Sequence, residues 1–90
     1  MKEFLKEVEN GKEFLCKDGK IIRSLDELAK IIKDLSAEIF LHHVNNNKND
    51  FAEWVEHVIG DFVLANRIRR VKSKFVMSEL IEKRILELYF

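Results

Sequence analysis

Apolar positions recur at helical spacing along most of this chain, most clearly at Phe51, Trp54, Val55, Val58 and Ile59. Those intervals put one apolar stripe on a helix, with Glu53, Glu56 and His57 off its centre. Asp50 precedes the stripe and Glu53 follows it by three, which predicts a capping box. Gly60 suits the left-handed residue that ends many helices, and Asp61 can cap the next one at once. Trp54 is the expected keystone, because burying an indole removes roughly 150–250 Å² from water.

The flanking segments supply partners for that helix. Ser24-Leu25-Asp26-Glu27 is a second capping box, opening a helix that turns Leu25, Leu28, Ala29, Ile32 and Leu35 inward. Ser36 is placed to cap a third, Ala37 to Val44, with Ile39, Phe40, His43 and Val44 inside. Asn45 to Asn49 predicts a polar loop, since asparagine bonds its own backbone in turns. After Gly60 a helix is expected from Asp61 to about Lys72, through Phe62, Leu64, Ala65, Ile68 and Val71. Ser73 either caps a last helix carrying Phe75, Met77, Leu80, Ile81, Ile85 and Leu88 or lies within one continuous helix. At the start, Phe4, Leu5 and Val8 predict a short amphipathic helix over residues 2–9, within a segment (1–12) prone to fray.

Residues 14–23 follow another rule. Asp18-Gly19 between two short apolar runs predicts a two-residue hairpin turn. Cys16 would then oppose Ile21, Leu15 oppose Ile22, and Phe14 oppose Arg23. Phe14, Cys16 and Ile21 would share the face laid on the helices, which the hairpin needs because two strands alone are marginal in water. The expected fold class is therefore mainly α with one small β-hairpin at residues 14–23: a bundle of four to six helices around Trp54, one domain over residues 1–90.

Composition narrows the class further. Hydrophobic residues at 47% with charged residues at 36% are globular rather than disordered proportions. A net charge of zero removes any global attraction to nucleic acid or membrane. The single cysteine cannot form an internal disulfide and fits a reducing compartment. Met1-Lys2-Glu3 does not start a signal peptide, and no apolar run approaches the roughly 20 residues that span a bilayer. A cytoplasmic protein without membrane contact is expected.

Three stretches together resemble a known pattern: Phe14-Leu15-Cys16-Lys17-Asp18-Gly19 running into Ser24-Leu25-Asp26-Glu27-Leu28, then Ile39 to Val44, then Asn49-Asp50-Phe51-Ala52-Glu53-Trp54 with Gly60-Asp61 and Leu64-Ala65. The pattern resembles an uncharacterised family of small prokaryotic domains, over roughly residues 13–70. Cys16 departs from it, standing where a bulkier apolar residue is usual. The resemblance implies the architecture and no activity.

Candidate chemistry is sparse. His43 lies on the apolar side of its helix and Asp50 ends the following loop, so the two could form an acid–base pair or a metal fragment. The plainer role is structural, with the imidazole pinning the asparagine loop, because no nucleophile or second ligand stands at a useful spacing. Adjacent His42 points roughly 100° away, and His57 flanks Trp54. Cys16 is a reactive thiol only if exposed beside Lys17 and Lys20, and an inert small hydrophobe on a core-facing strand. No cofactor or metal is expected.

Charge is divided along the chain. Residues 1–61 hold nine basic and thirteen acidic residues, whereas 62–90 hold seven and three. Arg67, Arg69, Arg70, Lys72 and Lys74 follow one another with no acid between, and on one helix Arg67, Arg70 and Lys74 would stack on one side. Such a row can bind phosphates, yet it lacks interleaved aromatics or a glycine-rich loop. Pairing with the acidic part is the alternative. The leading expectation is a non-enzymatic protein-interaction or self-associating module, a homo-oligomer joined through the last helix and Leu88-Tyr89-Phe90. A nucleic-acid-binding protein using residues 67–74 is the alternative, and a His43/Asp50 site the third reading.

Overall fold

Each α-helix in this chain starts where a short polar side chain accepts a hydrogen bond from the backbone N–H three residues on. Ser24, Ser36, Asn49, Asp61 and Ser73 accept from Glu27, Ile39, Ala52, Leu64 and Val76. A computed structural model of the chain describes residues 2–90. A 3-10 turn (Lys2–Leu5) leads to a hairpin of β1 (Phe14–Leu15) and β2 (Ile21–Ile22), then α1 (Leu25–Asp34) and α2 (Ala37–His43). A second hairpin, β3 (Val44–Asn45) and β4 (Lys48–Asn49), precedes α3 (Asp50–Trp54), which runs into a π-helical turn (Val55–Ile59). The chain continues as α4 (Phe62–Ile68) and α5 (Lys74–Tyr89).

The fold is mainly helical, and α1 against α5 is its principal helix pair. Leu25, Leu28 and Ile32 from the first, with Leu35 just past its end, meet a core that includes Met77 and Ile81 from the second, all without exposed surface. Ser78 sits on the same inner side, where its hydroxyl donates to the Ala29 carbonyl at 2.7 Å. Phe51, Leu64 and Ile68 complete the centre. Trp54 belongs to the aromatic cluster, edge-on to Phe14 at 6.1 Å, while Phe14 stacks on Phe51 at 4.7 Å. Its indole N–H donates to the Lys12 carbonyl at 2.9 Å, tying the N-terminal segment to α3.

Several local expectations are corrected. The first hairpin closes through three residues: the Gly19 N–H donates to the Cys16 carbonyl and the Cys16 N–H to the Lys20 carbonyl. Gly19 takes φ +94°, the left-handed residue that completes a three-residue loop. Pairing therefore moves to Phe14↔Ile22 and Leu15↔Ile21. Ile22 is buried and Ile21, expected inside, is 43% exposed. The Asn45–Asn49 stretch is a hairpin rather than a loop, closed in part by the Asn47 N–H donating to the Asn45 side chain at 2.9 Å.

Asn49, not Asp50, caps α3. Its side-chain Oδ1 accepts from the Ala52 N–H, and its side-chain NH₂ donates to the Ile68 and Arg69 carbonyls at the end of α4. Only an amide carries both an acceptor and donors, so an aspartate could not do both. The 51–59 helix changes pitch at Val55, whose carbonyl accepts from both Gly60 and Asp61. That wider turn leaves Val58 and Ile59 half-buried.

The N-terminal helix over 2–9 is only the 3-10 turn, after which the Val8 N–H donates to the Arg23 carbonyl at 2.8 Å. A nucleus that short gains more from pairing with the body than from adding turns. The segment 61–72 stops at Ile68 and Ser73 starts a separate helix, so the last two helices are not continuous. Phe62 and Phe75 point outward, about 60% exposed each.

Candidate functional site

The five basic residues do not form one row, because α4 ends before the row is complete. Arg67 extends to Glu87 on α5, with both carboxylate oxygens within 3.0 Å of Nη1. Arg69 bridges Glu53 at 2.7 Å and also bonds Glu56. Lys72 bonds the Asn46 side chain, and Lys74 reaches the Leu35 carbonyl and lies 5.2 Å from the centre of the Phe75 ring. Arg70 alone has no partner among the described residues. It borders an open groove of about 600 Å³, shared with Lys48, Arg69, Lys72 and the Asn45–Asn49 hairpin. Arg67 and Lys74 lie outside it, so the stacked Arg67–Arg70–Lys74 side does not exist.

His43 and Asp50 do meet, at 2.9 Å between Nδ1 and Oδ2. The Lys17 N–H donates to Nε2 at 3.0 Å, so that nitrogen carries no proton and Nδ1 donates to the carboxylate. Both nitrogens of this buried ring are therefore engaged, joining the first hairpin, α2 and α3. Burial pushes the Asp50 carboxyl upward, but hydrogen bonds from His43 and Lys48 outweigh it and hold the group below the usual carboxylate value. His42 stands edge-on to His43 at 4.9 Å. Cys16 is buried, and burial raises its thiol to about 11, so little thiolate forms at neutral pH.

Two features were not legible from spacing. Asp61 is buried and receives the Arg84 guanidinium through Nε at 2.8 Å and Nη2 at 3.2 Å, while its Oδ1 also caps α4. Arg84 continues to Glu87, linking α4 and α5 through one ionic network that includes Arg67. The bonds from Arg67 and Arg84 lower the Glu87 carboxyl. The signal available in the sequence was Asp61 itself, an acid that a buried helix start obliges to find a cation. The second feature is a cluster of Glu53, Glu56 and His57, whose ligand atoms lie within 4.8 Å of one another. Arg69 already occupies both carboxylates, so the cluster is an ion-pair network on the surface.

The outward face of α5 is the largest set of unengaged groups. Phe75, Val76, Leu86, Tyr89 and Phe90 are each between 47% and 102% exposed. Between them lie Glu79, Glu82 and Lys83, which have no ionic or hydrogen-bond partner among the described residues. Large apolar side chains therefore stand in solvent at both ends of this helix. No described helix is long and apolar enough to cross a membrane. Among curated proteins and solved structures, none matches the chain. The sequence model of a family of unknown function, DUF5752, matches residues 9–89, reaching beyond the 13–70 stretch to take in α5. The chain belongs to that family.

Proposed function

We propose that this protein is a non-enzymatic, cytoplasmic interaction module whose contact surface is the outward face of α5. The observation that carries the reading is the contrast on that helix. Its inner side is buried against α1, and its outer side leaves Phe75, Leu86 and Tyr89 about 60% exposed. Support also comes from the groups that could have served chemistry. His43 has both nitrogens bonded, Cys16 is sheltered, and four of the five basic residues are engaged within the chain. The lone sheltered thiol suits a reducing compartment.

The test uses the triple variant Phe75→Ser, Leu86→Ser, Tyr89→Ser, which alters exposed positions and leaves the core intact. Light scattering over a wide concentration range, with affinity capture in parallel, compares it with the unchanged protein. Association or capture that disappears in the variant supports the reading. Equal behaviour of the two proteins, or no association by either, overturns it.

A second reading has one observation in its favour. Arg70, Lys72 and Lys48 border the same groove, and Arg70 has no acidic partner among the described residues. A nucleic-acid contact there predicts mobility shifts at low salt that weaken steeply as salt rises, with a smaller salt slope for Arg70→Glu. No shift at low salt removes it.

A further inference from the structure

The outer face of α5 has an order that suits one partner above others. Val76, Glu79, Lys83 and Leu86 are all exposed and follow one another at intervals of 3, 4 and 3 residues. At about 100° per residue these four fall within an arc of roughly 80°, forming one seam along the helix. Intervals of three and four are those of a helix-pairing seam. The seam is also symmetric about the level of Ile81: Val76 and Leu86 lie equally far from it, as do Glu79 and Lys83.

That symmetry has a consequence. When two such helices lie antiparallel across a two-fold axis at the level of residue 81, each residue meets its mirror position on the other chain. Val76 meets the partner's Leu86, and Glu79 meets the partner's Lys83. Each contact occurs twice, so two apolar contacts enclose two opposite-charge pairs. Phe75 flanks the Val76–Leu86 contact at either end. In the parallel arrangement, Glu79 would face Glu79 and Lys83 would face Lys83, which repels. Neither the Glu79 nor the Lys83 side chain has an ionic or hydrogen-bond partner among the described residues, so both are available.

We infer that α5 pairs with α5 of a second copy of this chain, antiparallel and two-fold symmetric, with Glu79 of each copy against Lys83 of the other. This rests on the reading of the α5 face as the contact surface and names its partner. The same seam does not fit an arbitrary helix, because its charges match only an opposite order.

Charge reversal gives the test, using the full chain. Glu79→Lys alone and Lys83→Glu alone each set like charges together twice, and each is expected to raise the dimer dissociation constant at least about tenfold. An equimolar mixture of the two variants sets opposite charges together at every contact, so it is expected to associate like the unchanged protein. The double reversal in one chain does the same. Sedimentation velocity at low salt reads all four, and the mixture also controls for any weakening of the helix itself, which mixing could not repair. An unchanged protein that stays monomeric, single variants that associate normally, or a mixture no better than its components overturns the inference. If the triple serine variant dissociates while the mixture fails to recover, the α5 face remains a contact surface and the antiparallel second copy falls.

Discussion

At the corner where β4 meets the end of α4, Asn49 bonds Ala52, Ile68 and Arg69, and His43 bonds Asp50 and Lys17. On the outer face of α5, Glu79, Glu82 and Lys83 bond nothing among the described residues, and the large apolar side chains beside them stand in solvent. Both regions combine apolar and polar side chains. They differ in whether the polar groups have lost water. In the corner each buried donor and acceptor was removed from water and had to be matched inside the chain, so its polar residues hold the fold. On α5 no such obligation exists, so unmatched groups persist in water at no cost to folding.

The sharpest way to break this contrast is to truncate on both sides of it. Phe51→Ala removes a fully buried ring stacked on Phe14 and should cost about 3–5 kcal/mol. Leu86→Ser, at 60% exposure, should change stability by no more than about 0.5 kcal/mol. Urea denaturation of the monomer measures both, and a comparable loss at Leu86 would mean that the face is part of the core after all. Next in size is Arg84→Ala, which strands the buried Asp61 carboxylate and should cost about 3 kcal/mol by the same assay. Arg67→Ala, whose partner Glu87 is exposed and keeps Arg84, should cost less than about 1 kcal/mol.

Asn49→Ala removes a cap and leaves two carbonyls at the end of α4 without their side-chain donor, an expected loss of about 2 kcal/mol. Asn49→Asp separates the two roles, since it keeps the acceptor and loses the donors. If Asp recovers the full stability, the bonds to Ile68 and Arg69 contribute nothing. The smallest effect concerns pH. The Asp50 carboxyl is lower in the folded chain than its ordinary value of 3.8, so its contribution to stability is complete above that value. It is lost as pH falls through the lower folded value, and Asp50→Asn should flatten that part of the acid-unfolding curve.

The helices were largely legible because capping is local. Ser24, Ser36 and Asp61 cap where spacing placed them, Ser73 takes the capping one of its two expected roles, and the inward set of α1 is the predicted one. The cap of α3 was misassigned by one residue. Asp50 is a good capping residue, and what selects Asn49 instead is a pair of carbonyls nearly twenty positions away. The hairpin register was missed for a similar reason of small margins: a two-residue and a three-residue turn both use Asp18-Gly19, and they differ by which isoleucine reaches the core. The His43–Asp50 contact was legible, since both residues flank one short hairpin. The loss of the basic row was not, because Glu53, Glu56 and Glu87 approach it only in the folded chain.

By itself the sequence determined the order of the main helices, the hairpin at Asp18-Gly19 and the inner face of α1, because each depends on residues within about one or two turns of one another. Tertiary structure alone decided the strand register, the cap at Asn49, the Asp61–Arg84 pair and which charges stay unengaged. Those outcomes depend on groups far apart in the chain that meet only once water has been excluded between them.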